Sequence, residues 1–240
     1  MENYEQLVRE QLFHWNKKMM QKSNFVSRLS KRAQTKVNEF LPEKVHKVMT
    51  ESIKKVVQAA LVGSDFLTPA KDVSSLSLSE KEKLVADKVK TYKRMAAIEG
   101  AGTGAGGIFL GLADFPLLLS IKMKFLFEIA TLYGFDIKKY EERLFILHVF
   151  QLAFSSDEHR QRIYHMIKYW DEEKEKLVDV DWRIFQQEYR DYIDLAKMMQ
   201  LVPGIGAFVG AIANYHLLEH LSETAMNCYR LRLFTKGEAH

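Results

Sequence analysis

Apolar residues recur at intervals of three and four along the first part of the chain: Tyr4, Leu7, Val8, Leu12 and Trp15, then Met19, Val26, Leu29, Ala33, Val37 and Phe40. That spacing gathers them on one face of a 3.6-residue repeat and predicts an amphipathic helix or helix pair. Lys22 interrupts the stripe, and Lys18, Arg28, Lys31, Arg32 and Lys36 cover the other faces. A second helix is predicted over 43–62. The run Gly63-Ser64-Asp65-Phe66-Leu67-Thr68-Pro69 and the serines up to Ser79 then read as a loop. Ser79 and Glu82 make a Ser-x-x-Glu capping box in front of Leu84, Val85, Val89, Tyr92 and Met95, so a helix is expected to begin there and run towards Gly100.

Further on, Pro116 suits the first turn of a helix over 117–133, and Asp114 is placed to accept hydrogen bonds from its first N–H groups. Gly134 reads as its stop. Helical spacing also marks 140–154, 157–170 and 182–201; Pro203 closes the last of these, and a final helix carries the chain to about residue 234. With only 4 Pro in 240 residues, little interrupts long helices, and the turn residues that an all-β fold needs are missing. The expectation is an all-α, multi-helix bundle. It divides into basic amphipathic N-terminal helices over 1–62, a linker over 63–79 and a helical core over 80–240, forming one domain overall.

Nine of the 12 Gly fall in two apolar stretches, 100–111 and 204–210. Shifting the sequence by 100 positions superimposes them: Gly104, Gly106, Ala113, Leu117 and Leu118 meet Gly204, Gly206, Ala213, Leu217 and Leu218, which suggests an internal duplication. Gly inside a helix costs roughly 0.5 to 1 kcal/mol against Ala, so these runs serve close approach or special backbone angles rather than helix propensity. Gly100 with Gly104, Gly102 with Gly106, Gly107 with Gly111 and Gly206 with Gly210 each remove two side chains from one helical face, the pattern that lets two backbones pack tightly. The letters Gly102-x-Gly104-x-x-Gly107 satisfy a dinucleotide-binding pattern, but a helix precedes them and no phosphate-binding Lys follows, so no nucleotide and no other cofactor is expected.

Charge changes this picture at one end. Arg9 to Lys55 holds twelve basic and four acidic residues, net +8, so the rest of the chain is about −4 against a total of +4. Such helices serve either as a solvated surface or as a face for an anionic membrane, with Lys17, Lys18, Arg28, Lys31, Arg32 and Lys36 as the contacting cations. Nucleic acid is not the expected partner, since no helix-turn-helix, finger or RNP pattern positions these cations. The stretch 198–218 has no formal charge but includes Gln200, Pro203, Asn214, Tyr215 and His216, and 100–113 is only fourteen residues long; both read as buried or re-entrant hairpin segments rather than spans. The acidic, polar start Met1-Glu2-Asn3-Tyr4-Glu5 does not read as a secretory signal, and the single Cys228 reads as a small packing residue on a reducing, cytoplasmic side.

One string carries enzymatic chemistry. His216-Leu217-Leu218-Glu219-His220 has the His-x-x-Glu-His spacing of inverted zinc peptidases, with two imidazoles on one helical face and Glu219 as general base. Only twenty residues remain beyond it for a third ligand, so a polar helix surface competes with a soluble zinc-dependent hydrolase as its explanation. Asp114 and Asn214 occupy matching places in the two glycine segments and, if buried, need partners.

Four stretches resemble the EcsC family of bacterial proteins: Gly100-Ala101-Gly102-Thr103-Gly104-Ala105-Gly106-Gly107; Ala113-Asp114-Phe115-Pro116-Leu117-Leu118-Leu119; Ile129-Ala130-Thr131-Leu132-Tyr133-Gly134-Phe135-Asp136; and Val202-Pro203-Gly204-Ile205-Gly206-Ala207 with Ala213-Asn214-Tyr215. The motif positions include Gly111, Asp114, Pro116, Tyr133, Gly134, Pro203, Gly204, Gly206, Gly210, Asn214 and Tyr215. The family is typified by the third gene of an operon whose other products resemble the ATPase and membrane subunits of an ABC transporter. The resemblance therefore implies a non-enzymatic accessory role at the inner face of the cell membrane, near transporter components, and brings no catalytic residues with it.

Overall fold

The computed structural model describes residues 2–21, 43–63, 66, 72–103, 107–155, 157–178 and 207–237. Among them are eight helices and no strands: α1 (Glu2–Met20), α2 (Glu43–Val62), α3 (Leu78–Thr103), α4 (Gly107–Tyr133), α5 (Tyr140–Phe154), α6 (Asp157–Lys168), α7 (Trp170–Val178) and α8 (Ala207–Gly237). The all-α expectation therefore holds. One apolar core draws side chains from every one of these helices, from Leu12 and Trp15 on α1 to Tyr229 and Leu231 on α8.

Two helices sit at the centre, and their sequences explain why. Residues 144–155 at the end of α5 and 227–232 on α8 are buried without a break. Along α5 apolar residues on every side leave little solvent face to offer, whereas on α8 Arg230 and Arg232 are buried because carboxylates of other helices pair them. The outer helices carry the stripe instead: on α1, Val8, Leu12, Trp15 and Met19 are buried while the residues between them, apart from half-buried Asn16, are exposed.

Glycine ends two of the helices, Gly134 as the expected stop and Gly63 as the first residue of the expected loop. Gly134 takes φ +92, its N–H donates to the Thr131 carbonyl (3.0 Å) and the Phe135 N–H to the Ala130 carbonyl (3.0 Å), the Schellman arrangement that closes α4. At Gly63 φ is +83 and the N–H donates to the Ala59 carbonyl at 2.8 Å, which ends α2. Cations from neighbouring helices finish these ends. Lys81 Nζ reaches the Tyr133 carbonyl (3.5 Å), and Arg143 donates from Nε to the Leu61 carbonyl at 2.7 Å. A positive side chain there meets both orphan carbonyls and the negative end of the helix dipole.

Three boundaries differ from the sequence reading. The box that opens α3 is Ser77 with Glu80, not Ser79 with Glu82: the Ser77 N–H and hydroxyl donate to Glu80 Oε2 at 2.9 and 2.6 Å. α4 begins at Gly107, so Pro116 lies inside the helix and Asp114 is an interior position rather than its cap. Proline within a helix costs about 3 kcal/mol, and burial of Phe115, Leu118 and Leu119 on either side offsets it. The helix expected over 157–170 breaks at Tyr169, whose carbonyl accepts from the Glu172 and Glu173 N–H groups (both 3.0 Å) and so starts α7. The helix expected over 182–201 lies outside the described residues.

Gly134→Ala places a side chain in the left-handed region and is expected to lower stability by about 1 to 2 kcal/mol. Chemical denaturation checks this, with Gly134→Asn expected to lose less because Asn tolerates that conformation.

Candidate functional site

The positions singled out in the sequence separate into three groups. Gly104, Gly106, Pro203, Gly204, Gly206 and the cations Arg28, Lys31, Arg32 and Lys36 lie outside the described residues. Gly100 and Gly102 fall in the last turn of α3, Gly107 and Gly111 in the first turns of α4, and Gly210 and Asn214 near the start of α8. The remainder have described surroundings: Pro116 and Tyr215 are exposed, Tyr133 is buried, and Lys17 and Lys18 are exposed on α1.

The zinc site is not assembled. His216 and Glu219 do approach each other, Nδ1 to Oε2 at 3.4 Å, but Glu219 is taken by Lys93 of α3, whose Nζ donates to Oε1 at 2.5 Å. Hydrogen bonds from Lys93 and then His216 hold the Glu219 carboxyl below the ordinary carboxylate range, the opposite of what a general base needs. His220 turns away and sets Nε2 3.2 Å from the Ala153 carbonyl on α5. Among the described residues no group of three or more His, Cys, Asp and Glu can hold a metal ion. The string is a polar helix surface that fastens α8 to α3 and α5.

Tyr215, next in line, lies under Lys93, whose ammonium stands 4.3 Å from the ring centre. Two other groups of reactive type are sealed in the core. Burial pushes the Cys228 thiol well up, so it stays protonated, and pushes the His148 imidazole down to about 4 while its Nδ1 donates to the Leu144 carbonyl at 2.8 Å.

A buried ionic network, unread in the sequence, is the most constrained chemistry in the molecule. Arg230 of α8 grips Glu82 of α3 with both arms, Nε to Oε1 at 2.7 Å and Nη2 to Oε2 at 2.6 Å. The hydroxyls of Tyr133 (α4) and Tyr4 (α1) donate to the same carboxylate at 2.9 and 2.6 Å, and Gln11 of α1 accepts from Arg230 Nη1 at 3.2 Å. Burial works to raise the Glu82 carboxyl, but hydrogen bonds from Arg230 and Tyr4, with the guanidinium charge, outweigh it and leave the group below its ordinary value. Two residues further along α8, Arg232 clasps Glu142 of α5 at 2.5 and 2.8 Å while its guanidinium lies against Phe135 and Phe145, 4.2 and 4.3 Å from their ring centres.

These contacts also fix how the helices align. Glu82 meets Arg230 and Lys93 meets Glu219, so three turns along α3 match three turns back along α8: the pair is antiparallel and in one register. The α3–α4 pair runs likewise, from Glu82 with Tyr133 to Tyr92 with Phe125. The two buried Glu–Arg pairs lie towards one end of the bundle, the end at which Gly134 closes α4.

Fold and site together define an all-α bundle clamped by buried Glu–Arg pairs. The chain belongs to the EcsC protein family, whose family model matches residues 6–234. It is 54% identical over 235 residues to Protein EcsC of Bacillus subtilis (strain 168), covering 97% of this chain and 98% of that protein. It is also 28% identical over 241 residues to Uncharacterized protein YdbA of the same organism, covering 91% of this chain and 88% of that one. No solved structure matches the chain.

Removing one partner of the Glu82–Arg230 pair strands a buried charge, so Glu82→Ala is expected to cost about 3 to 5 kcal/mol. In urea unfolding, the double variant Glu82→Leu with Arg230→Met should regain a large part of that loss, because no unpaired charge remains. The buried imidazole gives a separate test. His148 has a folded pKa of about 4 against an ordinary 6.5, so its contribution is complete above the ordinary value and fades as acid forces a proton onto the unfolded state first. Wild type should therefore lose about 2 kcal/mol more than His148→Gln between pH 7 and pH 5. Equal losses in the two proteins would show that the imidazole is not the group responsible.

Proposed function

We propose that this chain is a non-enzymatic accessory protein held at the inner face of the cell membrane, with ABC transporter components as its protein partners. The observation that carries the membrane part is the outer surface of α1. Lys17 and Lys18 stand exposed there beside the large apolar side chains of Phe13 and Met20, while Val8, Leu12, Trp15 and Met19 fix the opposite face in the core. Cations interleaved with exposed apolar residues suit an anionic headgroup layer, each Lys or Arg near such a surface adding about 1 kcal/mol of attraction. The excess of basic residues from Arg9 to Lys55 extends the same charge.

No helix among the described residues is long and apolar enough to cross a membrane, so the attachment proposed is peripheral. Cytoplasmic-side placement agrees with the lone Cys228, kept as a buried thiol. The transporter partnership draws on the operon context of the family and on the near full-length similarity to Protein EcsC.

Membrane fractionation of native cells tests the reading. At low salt the chain should pellet with membranes; about 1 M salt, where the screening length is near 3 Å, should release much of it, and alkaline carbonate should strip it. Recovery solely in the soluble fraction at low salt would sink the reading.

A further inference from the structure

α1 and α6 lie side by side, and three hydrogen bonds set their alignment. The Gln161 amide donates to the Met20 carbonyl (2.9 Å), Arg160 Nη2 to the Gln21 carbonyl (3.0 Å) and the Tyr164 hydroxyl to Asn16 Oδ1 (2.9 Å). Contacts that advance along α6 move back along α1, so the pair is antiparallel. On α6 the row facing α1 is Gln161, Tyr164 and Lys168; on α1 the row facing α6 is Phe13, Asn16 and Met20, since residues three and four apart share a helical face. One further turn of the same alignment brings Lys168 to the level of Leu12 and Phe13, and Arg162 stands at the level of Lys18 and Met19.

The outward side of this pair is basic with apolar residues set into it. Phe13 (66% exposed) and Met20 (58%) stand beside exposed Lys17 and Lys18 on α1, and Arg162, His165 and Lys168, three residues apart, are exposed on α6. The runs from Gln11 to Gln21 and from His159 to Lys168 hold five Lys and Arg, three His and no Asp or Glu. Carboxylates border the field rather than interrupt it. Glu10 precedes it on α1, Asp157 and Glu158 occupy the first turn of α6, and Glu223 of α8 lies 4.0 Å from Lys18 Nζ. Past Tyr169 the chain passes into α7, which packs on α5 and α6, and there Asp171 is paired with Lys174 at 2.8 Å.

We infer that α1 and α6 together form the lipid-facing surface, in which Phe13 and Met20 enter the headgroup layer of an anionic bilayer and Lys17, Lys18, Arg162 and Lys168 meet its phosphates. The inference rests on the peripheral-membrane reading and adds to it a second helix, more than a hundred residues beyond the basic N-terminal region. It also leaves out Lys54 and Lys55, because they belong to α2, which packs on α4 and α5, whereas α1 rests on α3, α6 and α8. One helix offers a line of contact; two side by side offer a plane. An acidic protein would need only the cations. Large apolar side chains exposed between cations on both sides suit instead a layer that is anionic outside and apolar just beneath. The stems of Lys and Arg lie along such a boundary while their charged ends stay among the headgroups.

The test measures partition of the full chain onto sedimented vesicles of phosphatidylcholine with about one quarter phosphatidylglycerol. Arg162→Glu with Lys168→Glu should weaken partition on the order of tenfold, as Lys17→Glu with Lys18→Glu should, because each cation near an anionic surface adds attraction. Lys54→Glu with Lys55→Glu makes the same change in net charge on exposed positions of α2 and should alter partition by less than about threefold, since charges well beyond the screening length contribute little. All three variants should keep the melting temperature of wild type. A fluorophore on Phe13→Cys should shift to the blue on the vesicles and one on Lys55→Cys should not; Cys228 is buried and does not compete for label. Full binding by the α6 variant alongside loss in the α1 variant would overturn the shared surface and leave the peripheral reading standing. An equal loss in the α2 variant would overturn it too, by showing that overall charge drives partition. If wild type ignores these vesicles yet pellets with native membranes at low salt, the lipid surface is overturned and the cations serve an acidic protein instead.

Discussion

The Glu82 carboxylate is the point on which the arrangement of helices turns. It receives four hydrogen bonds, two from Arg230 and one each from Tyr4 and Tyr133, so α1, α3, α4 and α8 all converge on one buried charge. An apolar contact tolerates sliding; a bidentate ion pair does not, because misalignment leaves charge unpaired in a medium that cannot hydrate it. Arg232 with Glu142 repeats the device between α8 and α5, and Phe135 and Phe145 flank its guanidinium. Since Arg230 and Arg232 are two residues apart on α8, they project to different sides of it. The central helix is thereby fixed in both rotation and register. Hydrophobic burial supplies the bulk of the driving force, and these pairs select one alignment from many that would bury similar area.

What could be read locally was read well. α2 ends where the apolar spacing and Gly63 end it, and the Gly134 stop follows from a residue that alone adopts φ +92 without strain. The capping box of α3 shows the limit of local reading. Ser77 with Glu80 and Ser79 with Glu82 satisfy the same pattern, and nothing nearby decides between them; Glu82 is withdrawn from capping by Arg230, 148 residues away. Pro116 misled for a related reason: proline prefers the first turn, but that preference is outweighed when Phe115, Leu118 and Leu119 are held in the core.

The candidate chemistry was less legible, because spacing along one helix specifies a face and not what that face meets. His216, Glu219 and His220 have the spacing of a metal site, yet Lys93 and the Ala153 carbonyl, both remote in sequence, take up Glu219 and His220. The signal for the ionic clamps was available in Cys228-Tyr229-Arg230-Leu231-Arg232-Leu233-Phe234, where two cations interrupt an apolar run. Charges in such a setting are almost never buried alone, so the run announces partners without naming them.

The two ends of the long helices obey opposite rules, and that contrast is the chief physical character of the protein. Around residues 227–232 of α8 every side chain is buried and both arginines are neutralised, so that half of the bundle needs nothing further. Towards the start of α8 the ion pairs become exposed, as Lys93 with Glu219 shows, and then charge ends altogether while helix continues. A helix end in water gains from polar caps that satisfy its orphan N–H and C=O groups. The ends of α3, α4 and α8 instead carry glycine, alanine and large apolar residues, a composition that weakens helices in solution and gains its advantage where backbones pack closely. The buried clamp therefore sets the register of α3, α4 and α8 along the whole length they share, including the stretch where no ion pair holds them.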